Sequence, residues 1–181
     1  MNKKYFIAIV PPDSVFEKIE LLKRDLLKQH GLKGALRSPA HITLHRPFEY
    51  NPDKEPALIE TLSKFTFDRK FKIELINYNC FQPRVIYVNV IKTPELNDLH
   101  LKLSGYCRRQ LNLFNETDDM RGFQPHITIA SRDLKKQLFY KLWDSFRTNK
   151  YEDQFVFNGI CLLRKDINWE IIKKIALFKL T

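Results

Sequence analysis

The chain has 181 residues, 44% hydrophobic and 13% aromatic, with five glycines, nine prolines and a formal net charge of +10. Such a composition can bury a core as one domain, and it excludes a disordered or linker-rich polypeptide. The basic balance favours polyanionic partners such as RNA or phosphorylated small molecules, with the charges scattered along the chain rather than gathered in a tail.

From the start, Tyr5 to Val10 predicts a strand stopped by Pro11-Pro12. Its apolar run is too short for an export signal, and nothing later has the length of a bilayer span. A cytoplasmic location with no membrane partner is expected. Asp13 or Ser14 caps a predicted helix to about Gln29, with Phe16, Ile19, Leu22, Leu26 and Leu27 as its stripe. After Gly31 and Gly34, Ser38-Pro39 leads into a strand from Ala40 to about Arg46, ended by Pro47. A helix from Pro56 to Phe65 follows. Phe71 to Phe81 and Val85 to Ile91 then predict a hairpin around Gln82-Pro83-Arg84.

The same order returns in the second half. Glu95 to Leu113 predicts a helix through Leu96, Leu99, Leu103 and Tyr106, and Asn115 to Gly122 a polar loop holding Asp118, Asp119 and Arg121. Phe123 to Ala130 predicts a strand, and Asp133 begins a helix to about Arg147. Two strands, Phe155 to Leu163 and Trp169 to Leu180, close the chain around Arg164-Lys165-Asp166. Cys80, Cys107 and Cys161 form no CxxC pair and read as buried small hydrophobes in a reducing compartment. The expected fold is α+β, one domain over residues 1–181 with two pseudo-symmetric lobes of mainly antiparallel sheet flanked by helices, and monomeric.

The most pointed feature is a repeated tripeptide, His41-Ile42-Thr43 and His126-Ile127-Thr128, each copy closely preceded by proline. Residues two apart on a strand share a face, so each copy presents an imidazole and a hydroxyl together, while Ile42, Leu44, Ile127 and Ile129 turn into a core. Two such strands facing one cleft supply a general base, a general acid and two donors for an anion. That set suits phosphoryl chemistry without a metal: one imidazole takes a proton from the attacking oxygen and the other donates to the leaving oxygen. Unperturbed imidazoles titrate near neutrality, which populates the mixed protonation state.

On these residues the chain resembles the 2H phosphoesterase superfamily, in its 2'-5' RNA ligase-like branch, marked by two His-x-Thr-x motifs; here they are His41-Ile42-Thr43-Leu44 and His126-Ile127-Thr128-Ile129. The opening Tyr5-Phe6-Ile7-Ala8-Ile9-Val10-Pro11-Pro12 and the Pro125-His126 step are similar too. The resemblance implies a bilobal fold around a central cleft, catalysis by His41, Thr43, His126 and Thr128 with no cofactor or metal, and action on 2',3'-cyclic phosphates or 2'-5' linkages of RNA or nucleotides. Many relatives carry an arginine directly after the small residue of the second motif, whereas this chain reads Ala130-Ser131-Arg132.

Further substrate contacts are expected from His45, which in an ideal strand shares the face of His41 and Thr43, and from Arg132 and Arg121. Arg37, Arg46 and Arg84 lie near the motif strands, and Phe48, Phe81, Phe123 and Tyr87 are candidates to stack on a base. His30 and His100, in helical stretches with no chemical companion, read as structural. Two other readings remain open. A metal site could use His41, His45 and His126 with Asp118 or Asp119, but it leaves the threonines unexplained. A non-catalytic RNA- or nucleotide-binding module would keep the basic cleft and lose turnover.

Overall fold

The computed structural model describes residues 1–115 and 122–178. Asp118, Asp119 and Arg121 lie outside the described residues. Two four-stranded antiparallel sheets carry the fold. The first contains β1 (Lys3–Ile9), β2 (Ile42–Tyr50), β7 (Gly159–Lys165) and β8 (Trp169–Ala176) in the order β2-β1-β7-β8. The second contains β3 (Lys72–Phe81), β4 (Val85–Val90), β5 (His126–Ala130) and β6 (Glu152–Val156) in the order β5-β4-β3-β6. The helices are α1 (Asp13–His30), α2 (Glu55–Ser63), α3 (Pro94–Leu111) and α4 (Lys136–Phe146).

This arrangement is an internal repeat. The unit β1-α1-β2 is answered by β4-α3-β5, and in both the motif strand comes last and lies at the edge of its sheet. The helices α1 and α3 end alike, at Gly31 and Asn112, both left-handed with φ of 70° and 53°. That conformation lets the cap N–H bond back to the last carbonyls of the helix. α1 packs against β5 and β6 of the second sheet, and α3 against β2 of the first. Each half therefore covers the other's sheet, and one buried core including Ile7, Ile19, Ile42, Leu99 and Ile127 runs through both.

Several expected boundaries move, each for a local reason. β2 does not stop at Pro47 but continues to Tyr50. Arg46 and Pro47 together oppose Phe6 between the pairs Tyr5↔Phe48 and Ile7↔His45, so proline sits in a bulge on an edge strand, where no ladder donor is required. The strand expected over Phe155 to Leu163 is two strands, β6 and β7, in different sheets. Gly159 enters β7 so close to β8 that a β-carbon there would collide with the Ile175 carbonyl. Asp133 does not begin α4, which starts at Lys136. Its carboxylate instead accepts the N–H groups of Lys33 at 2.8 Å and Gly34 at 3.1 Å, fastening the 3-10 turn Gly34–Arg37 to the chain just after β5.

Candidate active site

Both motif strands alternate as expected. Ile42, Leu44, Ile127 and Ile129 are buried, whereas His41, Thr43, His126 and Thr128 keep partial exposure. Thr43 pairs with Ala8, which puts it on the sheet face carrying Phe6 and Trp169 rather than on the face of the main core. The two edge strands β2 and β5 touch, so the motif residues of both sheets meet at this seam. A cleft of about 270 Å³ opens there, lined by Thr43, Phe81, His100, Phe123, Gln124 and His126 among others. His41 is not among its lining residues; it packs against Phe6 with ring centroids 4.7 Å apart and is close enough to His126 to feel its charge.

The two imidazoles are held in the same way. His41 Nδ1 donates to the Pro39 carbonyl and His126 Nδ1 to the Gln124 carbonyl, each two residues back and each at 2.7 Å. Donation from Nδ1 fixes the tautomer, leaving an unprotonated Nε2 with its lone pair available. Neither Nε2 has a hydrogen-bond partner among the described residues, and both histidines keep partial exposure. Each ring is backed by aromatic side chains from its own sheet: Phe6 behind His41, and Phe81 at 5.0 Å and Tyr87 at 4.9 Å beside His126.

Burial favours the neutral imidazole. It pushes the His41 pKa down to about 4, and the positive charges of Lys23 and His126 add to the effect against the opposing Pro39 hydrogen bond. Burial also lowers His126, against the Gln124 hydrogen bond. The expectation of two imidazoles titrating near neutrality is thus displaced to lower pH. His41 and His126 lie near enough for the charge on one to disfavour charge on the other.

His45 does not share the face of His41 and Thr43. Thr43 pairs with Ala8 and His45 with Ile7, so one step on β1 spans two on β2, and the resulting bulge turns His45 into the core at 0% exposure. Its ring packs edge-on to Phe48, which belongs to that core side, and Nδ1 donates to the Arg46 carbonyl at 2.9 Å. The ideal-strand reading failed because it assumed unbroken alternation. Arg132 lies beyond the end of β5, exposed, with a left-handed φ of 64°, so it does not continue the His126 face. It stands instead near Lys165 and Arg37; burial lowers the Lys165 pKa, and these two guanidinium charges lower it further.

His100, read as structural from the sequence, lines the cleft. Its ring stacks on Phe123 with centroids 3.9 Å apart and planes within 2°, while Nδ1 donates to the Leu44 carbonyl at 3.0 Å. Nothing in the local pattern of α3 could announce a contact with a strand 56 residues away. No group of three or more His, Cys, Asp or Glu side chains among the described residues is arranged to hold a metal ion, and His45 turns away from the other two ligands of the metal reading. No described helix is long and apolar enough to cross a membrane.

Four histidines, His41, His45, His100 and His126, have folded-state pKa values below the ordinary 6.5. An unfolded chain binds protons there that the folded chain refuses, so this contribution to stability is complete above about pH 6.5 and is lost as the pH falls towards the folded values. Thermal unfolding is expected to show Tm dropping between pH 7 and pH 4.5. Inorganic phosphate should restore part of the loss by binding the charged imidazoles, and a Tm indifferent to phosphate at pH 5 would contradict an anion site.

The fold and seam can be set beside known proteins. The family model described as the 2'-5' RNA ligase superfamily matches residues 11–169. A protein of Oceanobacillus iheyensis named as a phosphoesterase is 29% identical over 160 residues, covering 84% of this chain and 86% of its own. An Archaeoglobus fulgidus protein named RNA 2',3'-cyclic phosphodiesterase is 28% identical over 131 residues, covering 70% and 71%. Among solved structures, Escherichia coli LigT complexed with 3'-AMP superposes with a TM-score of 0.67 at 19% identity, covering 99% of this chain and 100% of its own. TT0787 of Thermus thermophilus gives 0.65 at 18% identity, covering 96% and 97%. With a repeated His-x-Thr-x motif on the edge strands of its two sheets and a family model spanning most of its length, the chain belongs to the 2'-5' RNA ligase superfamily of 2H phosphoesterases.

Proposed function

We propose that this protein is a metal-independent phosphodiesterase that acts on 2',3'-cyclic phosphates or 2'-5' linkages of RNA or oligonucleotides, with His41 and His126 as the acid–base pair. The observation that carries the reading is the matched pair of imidazoles, each with Nδ1 committed to a carbonyl two residues back and Nε2 without a partner among the described residues, each two residues before a threonine on the same strand face. In the opening of a cyclic phosphate, one neutral Nε2 takes a proton from water as its oxygen bonds to phosphorus. The bond from phosphorus to a ribose oxygen breaks, and that oxygen takes a proton from the other, charged imidazole. The roles exchange in the reverse direction. Thr43 and Thr128 donate hydrogen bonds to the non-bridging oxygens, where negative charge grows.

The displaced pKa values fit this sequence of events. Both imidazoles are kept neutral while the site is empty, and an arriving phosphate anion favours protonation of the one it touches. The acid is then created on binding. The cleft beyond Thr43 and His126 supports nucleotide binding, since Phe81 and the stacked His100 and Phe123 rings offer flat apolar surface to a base or ribose. Arg132, Arg37 and Lys165 gather positive charge for a polyanion, and Lys165 lies over Trp169, which packs on the Phe6 ring that backs His41. The relatives named for 2',3'-cyclic phosphodiesterase activity and crystallised with 3'-AMP lend support.

The test is a screen of cyclic-phosphate-ended oligonucleotides, 2'-5'-linked dinucleotides and 2',3'-cyclic mononucleotides in the presence of EDTA. Turnover of at least one class, unaffected by the chelator, is expected. Tight binding without turnover of any of them would instead identify a binding module.

A further inference from the structure

The motif that carries His41 rests on an ion pair that the phosphodiesterase reading does not use. Lys23, on the buried side of α1 between Ile19 and Leu26, is only 2% exposed. Its ammonium donates to Glu20 Oε1 at 2.8 Å and to the Ser38 carbonyl at 3.0 Å. The same Glu20 oxygen accepts the Ala40 N–H at 2.7 Å. Glu20 and Lys23 therefore grip the chain on both sides of Pro39, whose carbonyl is the group that holds His41 Nδ1.

We propose that Glu20 and Lys23 are positioning residues, which hold the Ser38–Ala40 segment so that the Pro39 carbonyl aims the His41 imidazole, and which place a fixed charge pair behind it. The inference rests on His41 acting as proposed above. A buried lysine is costly unless it is paired and hydrogen-bonded, and replacing such a pair by apolar side chains is often neutral or stabilising, so bulk stability is a poor reason for this one. What an apolar pair could not do is fix two polar backbone groups that flank a third. The titratable groups acting directly on His41 are Lys23 from α1 and His126 from β5, Glu20 standing behind Lys23 as its ion-pair partner; Phe6 from β1 is uncharged. Lys23 disfavours the charged imidazole, and the Glu20 carboxylate paired with it at 2.8 Å screens that charge without cancelling it, so His41 stays biased towards the neutral, proton-accepting form.

The experiment follows the two imidazoles by NMR titration in the full chain, with kcat and KM measured alongside. In Lys23→Met the His41 titration is expected to move up by roughly one pH unit, and in Glu20→Gln, which keeps an oxygen for the Ala40 N–H, it is expected to move down. His126 should move little in either. On a cyclic-phosphate substrate, Lys23→Met should lower kcat on the order of 10-fold with KM nearly unchanged, because aim rather than binding is lost. If Lys23→Met fails to fold, Glu20→Gln carries the titration test alone. Opposite shifts confined to His41 support the positioning role. His41 unmoved in a folded variant, shifts of the same sign in both, or equal shifts at His41 and His126 would overturn it. The titrations need no turnover, so a wild-type protein that opens no cyclic phosphate would refute the phosphodiesterase reading and leave the grip on His41 separately decided.

Discussion

Replacing either His41 or His126 by alanine is expected to lower kcat/KM for a cyclic-phosphate substrate on the order of 10²–10⁴-fold, the usual worth of a positioned acid or base. The double replacement should cost less than the product of the two singles, because neither proton transfer helps once the other has failed. Thr43→Ala and Thr128→Ala should each cost roughly 10–100-fold, as one neutral hydrogen bond to growing charge is lost. His45→Phe makes a useful contrast. Its ring lies on the core side of the β2 bulge, so this change should spare catalysis and alter stability alone. Steady-state kinetics on variants shown to be folded by circular dichroism would check all of these, and independent effects of His41 and His126 that multiply fully would speak against a single catalytic unit.

The second large effect is expected at Gly34. A side chain there would drive its β-carbon into the Ser131 carbonyl and the Asp133 carboxylate, and the first of these is backbone that cannot rotate away. Gly34→Val should therefore destabilise the fold on the order of 2 kcal/mol by overpacking. It should also separate the turn Gly34–Arg37 from the end of β5, loosening the contact that brings Arg37 near Arg132 and Lys165. Gly105, inside α3, is the control, because a β-carbon there meets only the end of the Arg109 side chain. Gly105→Ala should be neutral or stabilising through helix propensity. Chemical denaturation of the two variants separates these outcomes; a Gly34→Val protein as stable as wild type would contradict the close packing of the two motif segments.

Much of the architecture was legible because it is written in local periodicity. The spacing of Ile19, Leu22 and Leu26 located α1, and the β-rich runs flanking Gln82-Pro83-Arg84 located the β3–β4 hairpin. The alternation His41-Ile42-Thr43-Leu44 correctly assigned which side chains enter the core, and its recurrence at His126 revealed the internal repeat. Features that depend on pairing between distant strands were not legible. The two bulges of β2 exist only in its register against β1, and they decide that His45 is buried and that the strand passes Pro47. The division of Phe155 to Leu163 between two sheets likewise depends on partners far away in sequence, β3 for one part and β1 and β8 for the other.

One further signal of the site lies in α1. Lys23 stands four residues after Ile19 and three before Leu26, a charged residue at a core position of an amphipathic helix. Such a lysine requires a buried partner, and the partner proves to lie under the His41 segment. His100 offered no comparable clue, since its stacking on Phe123 arises where α3 and the approach to β5 converge on β2.

The most direct test is the pH dependence of kcat/KM for a cyclic-phosphate-ended oligonucleotide, measured in EDTA for the wild type and for a folded His126→Ala variant. The free enzyme's essential acid and base govern this parameter, so the wild-type profile should be a bell with both limbs below the ordinary histidine range, as burial of His41 and His126 dictates. The kcat profile should lie at higher pH, because the bound phosphate raises the imidazole pKa values. His126→Ala should lose most of the activity and one limb of the bell. A wild-type rate and an unaltered bell in that variant, or loss of wild-type activity in EDTA, would contradict the two-histidine account.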